Sequence, residues 1–126
     1  MDERVNKALK FANLKITQAN QRENLRTQLY EKLILGVNGG LFDINQTLIS
    51  FVSILASKTD SAVILDKNNN PVLIENLNDF LDEILSRYME NTNLFYQDYT
   101  ALNKARNVKN LMDFNEEKLK KEVSDE

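Results

Sequence analysis

Two stretches of this sequence contain no helix breaker over about thirty residues each, and the segment between them has to turn the chain round. The first runs from Glu3 to about Glu31. In it Val5, Leu9, Ala12, Ile16 and Ala19 alternate spacings of four and three, which sets them in one stripe along a helix. After a phase shift the stripe continues through Leu25, Leu29 and Leu33. Its middle, Thr17 to Asn24, is polar and would be weak as an isolated helix, so packing must hold it. The second stretch opens at Asn76 or Asn78, either a suitable N-cap. Asp79, Asp82 and Glu83 then sit at the positive end of the helix dipole. Leu77, Leu81, Ile84, Tyr88, Asn91, Phe95, Asp98, Leu102 and Ala105 repeat the four–three spacing. Asn91 and Asp98 interrupt that seam, which argues against a strict coiled coil. At 1.5 Å per residue each helix is on the order of 45 Å long.

The intervening segment supplies the reversal. Lys32-Leu33-Ile34-Leu35-Gly36-Val37-Asn38-Gly39-Gly40-Leu41-Phe42-Asp43-Ile44 holds an Asn-Gly pair between apolar residues, a hairpin signal. A helix running to Leu35 with Gly36 as its C-cap is the alternative. The hairpin is preferred because Asn38, Gly39 and Gly40 all tolerate positive φ. Asn45 is an N-cap for a short helix carrying Leu48, Ile49, Phe51, Val52, Ile54 and Leu55, apolar on most of its surface and therefore expected at the centre of the core. Ala62–Asp66 and Pro71–Glu75 read as two short strands joined by Lys67-Asn68-Asn69-Asn70. The expected fold is mainly α within the α+β class: two long antiparallel helices with a short buried helix and one or two small β-hairpins at one end. Residues 1–114 form a single helical domain in this reading. Val108, Leu111, Met112 and Phe114 are its last apolar patch, and the charged residues 115–126 are a tail expected to fray.

Composition narrows the chemistry. The 126 residues include no His, Cys or Trp, and the net charge is −3. Disulfides and the usual zinc, copper, haem and iron–sulfur ligand sets are thereby missing. Asp66-Lys67-Asn68-Asn69-Asn70 looks like the opening of a calcium loop, but Pro71 stands where such a loop needs Gly and Leu77 where it needs a bidentate Glu. A polar hairpin turn is the better reading. Gly36–Gly40 lacks the lysine and spacing of a phosphate loop. The carboxylates Asp79, Asp82 and Glu83 share a helix face with no second convergent cluster, and read as solvated charges. No enzyme, cofactor or metal is expected. No apolar run nears the roughly 20 residues of a membrane span. Met1-Asp2-Glu3-Arg4 opens no signal-peptide core, so a cytoplasmic location is expected.

What remains is binding. Arg4, Lys7 and Lys10 open the first helix, and Lys104, Arg106 and Lys109 close the last. In an antiparallel pair these groups meet, as a patch for phosphates or for an acidic protein surface. Cations also stabilise a helix C-terminus, which accounts for Lys104 to Lys109 but not for Arg4 to Lys10. Tyr96 lies off the main stripe as a candidate partner anchor, while Tyr88 and Phe95 are expected in the core.

Three blocks carry a resemblance: Ala8-Leu9-Lys10-Phe11-Ala12-Asn13, Val37 to Ile44, and Ala105-Arg106-Asn107-Val108-Lys109-Asn110-Leu111. In their order they resemble small proteins of T-even-like tailed phages, cyanophage-type myoviruses in particular. The resemblance implies a phage-encoded accessory or virion-assembly protein, in host cytoplasm or virion, and assigns no site residue. The expected function is non-enzymatic protein–protein interaction, with homo-oligomerisation through the long helices. The alternative is a nucleic-acid-associated or replication or transcription regulator acting through the basic helix end.

Overall fold

The structure is a computed structural model and describes residues 2–104. Its elements run α1 (Glu3–Lys32), β1 (Ile34–Val37), β2 (Gly40–Asp43), α2 (Gln46–Lys58), β3 (Ala62–Leu65), β4 (Pro71–Ile74) and α3 (Leu77–Lys104). The chain is thus mainly α, with two antiparallel two-stranded hairpins, as the sequence suggests. The described residues form two compact units, one of residues 2–27 together with 95–104, the other of Gln28–Leu94.

In the second unit each element starts and stops for a visible reason. Asn38 and Gly39 take positive φ of 50° and 82°. Both central residues in the left-handed region make a two-residue type I′ turn, whose twist suits a hairpin. The helix-end alternative for residues 32–44 is therefore set aside. Ile44 N–H donates to the Leu33 carbonyl at 2.7 Å and extends the pairing past the β1–β2 ladder. The Asn45 side chain accepts from Leu48 N–H at 2.8 Å and starts α2, while Thr59 N–H donates to the Leu55 carbonyl at its end. Of the two candidate caps of α3, Asn76 serves: its side chain accepts from Asp79 N–H at 3.1 Å.

The core of this unit joins the inner faces of both hairpins to the first turns of α3. Leu35, Phe42, Ile64, Val72, Ile74, Leu77, Phe80 and Ile84 are all buried. Phe42 meets Phe80 edge to face, with ring centroids 5.3 Å apart and planes at 64°. The four–three register of α3 is borne out, since Leu77 and Ile84 are buried, and Leu81 and Tyr88 are half-buried against the same cluster. One expectation needs correcting. In α2 only Val52 is fully buried, and Phe51 and Ile54 face outward. The centre of the core is the hairpin–α3 junction, and α2 is covered on one side only.

In the first unit Leu25 and Leu102 are buried against each other, flanked by Leu14 and Phe95. The Arg22 guanidinium donates to the Asn103 side-chain oxygen at 3.1 Å. Leu25 meets Leu102, and Arg22, three residues before it, meets Asn103, one residue further on, so the two helix segments run in opposite directions. Phe95 and Tyr99 stack with centroids 5.9 Å apart. The helix read from the stripe Val5, Leu9, Ala12, Ile16 and Ala19 is present, and the stripe itself is exposed throughout.

Candidate functional site

The segment that mimics a calcium loop is a backbone clamp. Asp66 is buried, and both of its carboxylate oxygens accept backbone N–H groups. Oδ1 takes those of Asn68 and Asn70, each at 2.9 Å, and Oδ2 takes that of Leu41 at 3.0 Å. The Leu41 N–H is the largest influence holding this carboxyl below the usual aspartate range; Asn70 and Asn68 add to it, and burial opposes them. Asn69 takes a φ of 63° and closes the turn with its N–H on the Asp66 carbonyl at 3.0 Å. Lys67 N–H donates to the Leu41 carbonyl at 2.7 Å. The Asn38 side chain donates to the Leu73 carbonyl at 2.9 Å. The two hairpins are therefore locked together by one backbone hydrogen bond and by the Asp66 and Asn38 side chains on backbone groups. Gly40 lies in this seam, where a Cβ would run into the Val72 side chain.

The clamp fixes which way β3 and β4 face. Ile64, Val72 and Ile74 point into the core, so Val63, Leu65, Pro71 and Leu73 point out. Val63 pairs with Leu73 and Leu65 with Pro71, which makes one continuous apolar face. Val63, Leu65 and Leu73 are 61%, 59% and 51% exposed. An antiparallel sheet with one wet face normally alternates apolar with polar residues, and strands that are apolar on both faces are the mark of a sheet covered on both. Here the described chain covers one.

A separate open groove of about 720 Å³ lies in the same unit, between the end of α1, the base of β1–β2, the start of α2 and α3. Leu33 and Ile44 form its apolar floor, and Tyr30 stands exposed at its rim. Its polar groups serve one another: Gln46 Nε2 donates to the Tyr88 hydroxyl at 3.0 Å, and Lys67 pairs with Asp43 at 3.4 Å.

Among the residues singled out from sequence, Arg4, Lys7 and Lys10 are exposed on α1, and Lys104 is exposed at the last position of α3. Arg106 and Lys109 lie outside the described residues. The Arg22–Asn103 bond puts Lys104 at the level of Arg22, and Lys10 is twelve residues further along α1, about 18 Å at 1.5 Å per residue. The described basic groups are thus not brought together. Tyr96 is exposed, off the stripe as expected, whereas Tyr88 and Phe95 are half-buried against apolar clusters. The outward β3–β4 face was missed, although its signal is in the sequence: Ala-Val-Ile-Leu and Pro-Val-Leu-Ile have no polar alternation.

Among the described residues no group of three His, Cys, Asp or Glu could hold a metal ion, and no helix is long and apolar enough to cross a membrane. No family model matches this chain, and neither does any curated protein or solved structure.

Proposed function

We propose that this chain is a non-enzymatic protein-binding protein, and that the outer face of the β3–β4 hairpin is its principal contact surface. The observation that carries this reading is the pairing of Val63 with Leu73 and of Leu65 with Pro71, all turned to solvent on a hairpin whose other face already closes a core. Burying an apolar side chain of this size contributes roughly 1.5–3 kcal/mol, so this face has much to gain from a protein cover. In the phage setting implied by the sequence resemblance, the role is an accessory of virion assembly. The test is affinity capture with mass spectrometry, comparing the native chain with Val63→Glu, Leu73→Glu. A protein retained by the native chain and lost by the variant is the expected result. Identical captures from both would sink this assignment of the surface.

A second reading has its own observation. From Arg4 to Arg22 there are five basic residues and no acidic one, and Arg4, Lys7 and Lys10 are exposed. This stretch suits phosphates. Duplex DNA binding that weakens with salt and disappears in Lys7→Glu, Lys10→Glu is what this version predicts; absence of binding at low salt removes it.

A further inference from the structure

Helix α1 has two apolar faces, and among the described residues one of them is covered. Leu14, Gln18 and Leu25, spaced by four and seven, lie within a narrow arc of the helix at about 100° per residue. Leu25 and Gln18 are buried, and Leu14 packs on the Leu25–Leu102 cluster. By the same rotation Val5, Leu9, Ala12, Ile16 and Ala19 fall about half a turn away, on the opposite side. Val5, Leu9 and Ile16 are 45%, 51% and 60% exposed. Five positions in unbroken four–three spacing form a seam of the width that a second helix fills, narrower than the face a lipid surface takes up.

The edges of the seam indicate what fits it. In heptad register one edge carries Asn6, Asn13 and Asn20, and the other carries Ala8, Lys15 and Arg22. Two copies running parallel bring the first edge of each against the second edge of its partner, so that Ala8 faces Asn13 and Lys15 faces Asn20. Side-chain amides there accept from cations, and no like charges meet. Antiparallel copies would set the cationic edges against each other. Arg4, Lys7 and Lys10 lie off the seam, so nucleic acid drawn to them leaves the apolar stripe bare.

We propose that α1 pairs in parallel with α1 of a second copy of this chain through Val5, Leu9, Ala12, Ile16 and Ala19, giving a two-fold dimer. This deepens the protein-binding reading by naming a partner for a second surface, and it stands apart from the β3–β4 face. The dimer is symmetric, each seam burying the same residues as its mate.

The first experiment is light scattering on the full chain at micromolar concentration. A mass of twice 14.6 kDa is expected. Leu9→Glu, Ile16→Glu should return the mass of a single chain whose far-ultraviolet circular dichroism is still that of a folded helical protein, because both side chains are exposed in the single chain. Val63→Glu, Leu73→Glu should leave the dimer intact, which separates this proposal from the surface assignment above. Direction is read by single cysteines, which are clean probes in a chain that has none. Val5→Cys alone and Ala19→Cys alone should each cross-link to a second copy under mild oxidation, since parallel pairing sets each residue against itself. A monomer at every concentration, a dimer that survives Leu9→Glu, Ile16→Glu, or cross-linking only when the two cysteine variants are mixed would each overturn the proposal. So would seam-dependent binding to phosphatidylserine vesicles or to duplex DNA by a monomeric chain.

Discussion

The two hairpins have the same strand length and the same antiparallel pairing, yet they present different faces to solvent. On β1–β2 the outward positions are Ile34 opposite Asp43 and Gly36 opposite Leu41, so a charge and a bare backbone interrupt the apolar side chains. On β3–β4 the outward positions are Val63 opposite Leu73 and Leu65 opposite Pro71, with nothing polar among them. Their inner faces are alike, and both feed one core. Foldedness therefore asks the same of both hairpins, and the difference lies in what the outside is for. A hairpin adapted to water needs interruptions like Asp43. One that is to be covered is better without them.

Substitutions can break this symmetry of the inner faces or sharpen the asymmetry of the outer ones. The largest effect is expected at Phe42. Phe42→Ala removes a buried ring in edge contact with Phe80 and should cost about 3–5 kcal/mol in a urea melt. That is comparable to the whole stability of a small domain, roughly 5–15 kcal/mol. A loss below about 1 kcal/mol would mean the inner faces are not packed as described. Next comes Gly40→Ala, whose methyl meets Val72, a β-branched side chain with little freedom to turn aside. Overpacking of this kind costs typically about 1–3 kcal/mol. The counterpart Gly36→Ala meets only ordinary contacts and should be milder.

Asp66 gives a pH-dependent test of the clamp. Its carboxyl ionises below the ordinary aspartate value of 3.8 in the folded chain. Its contribution to stability is therefore fully present above that value and is lost as pH falls through the lower folded one. Asp66→Asn turns an amide donor, or loses an acceptor, toward one of three N–H groups. Its Tm should fall relative to the native chain at neutral pH, and the gap should close in acid. A gap that stays constant down to pH 2 would show that the charge is irrelevant. The smallest effect on stability belongs to the outer face: Val63→Thr or Leu73→Thr should shift it by no more than about 0.5 kcal/mol, while weakening partner capture.

Much of this was legible in the residues. The Asn38-Gly39 pair announced a type I′ turn, and the spacing from Leu77 to Leu102 located the buried side of α3, because both signals are local. The phase shift before Leu25 in α1 was visible too, but its meaning was not. Periodicity sets Val5 and Leu25 in stripes on opposite sides of one helix, and only the packed structure shows which of the two is covered. α2 misled for a related reason. Apolar residues all round predict burial on every side, and a helix waiting for a cover has the same composition as one already covered. The Asp66 clamp depends on Leu41, twenty-five residues away, and no local pattern carries that distance.

That long reach has a consequence for how the molecule opens. Leu41 donates its N–H to the Asp66 carboxylate and accepts that of Lys67, across two hairpins that are separated in sequence by all of α2. Neither amide belongs to its own hairpin's ladder at that point, and both bonds pass through Leu41, so whatever lifts Leu41 off the second hairpin frees both. In a deuterium-exchange experiment these two protons should leave together, at the rate at which the hairpins part company, and they provide a natural clock for that event.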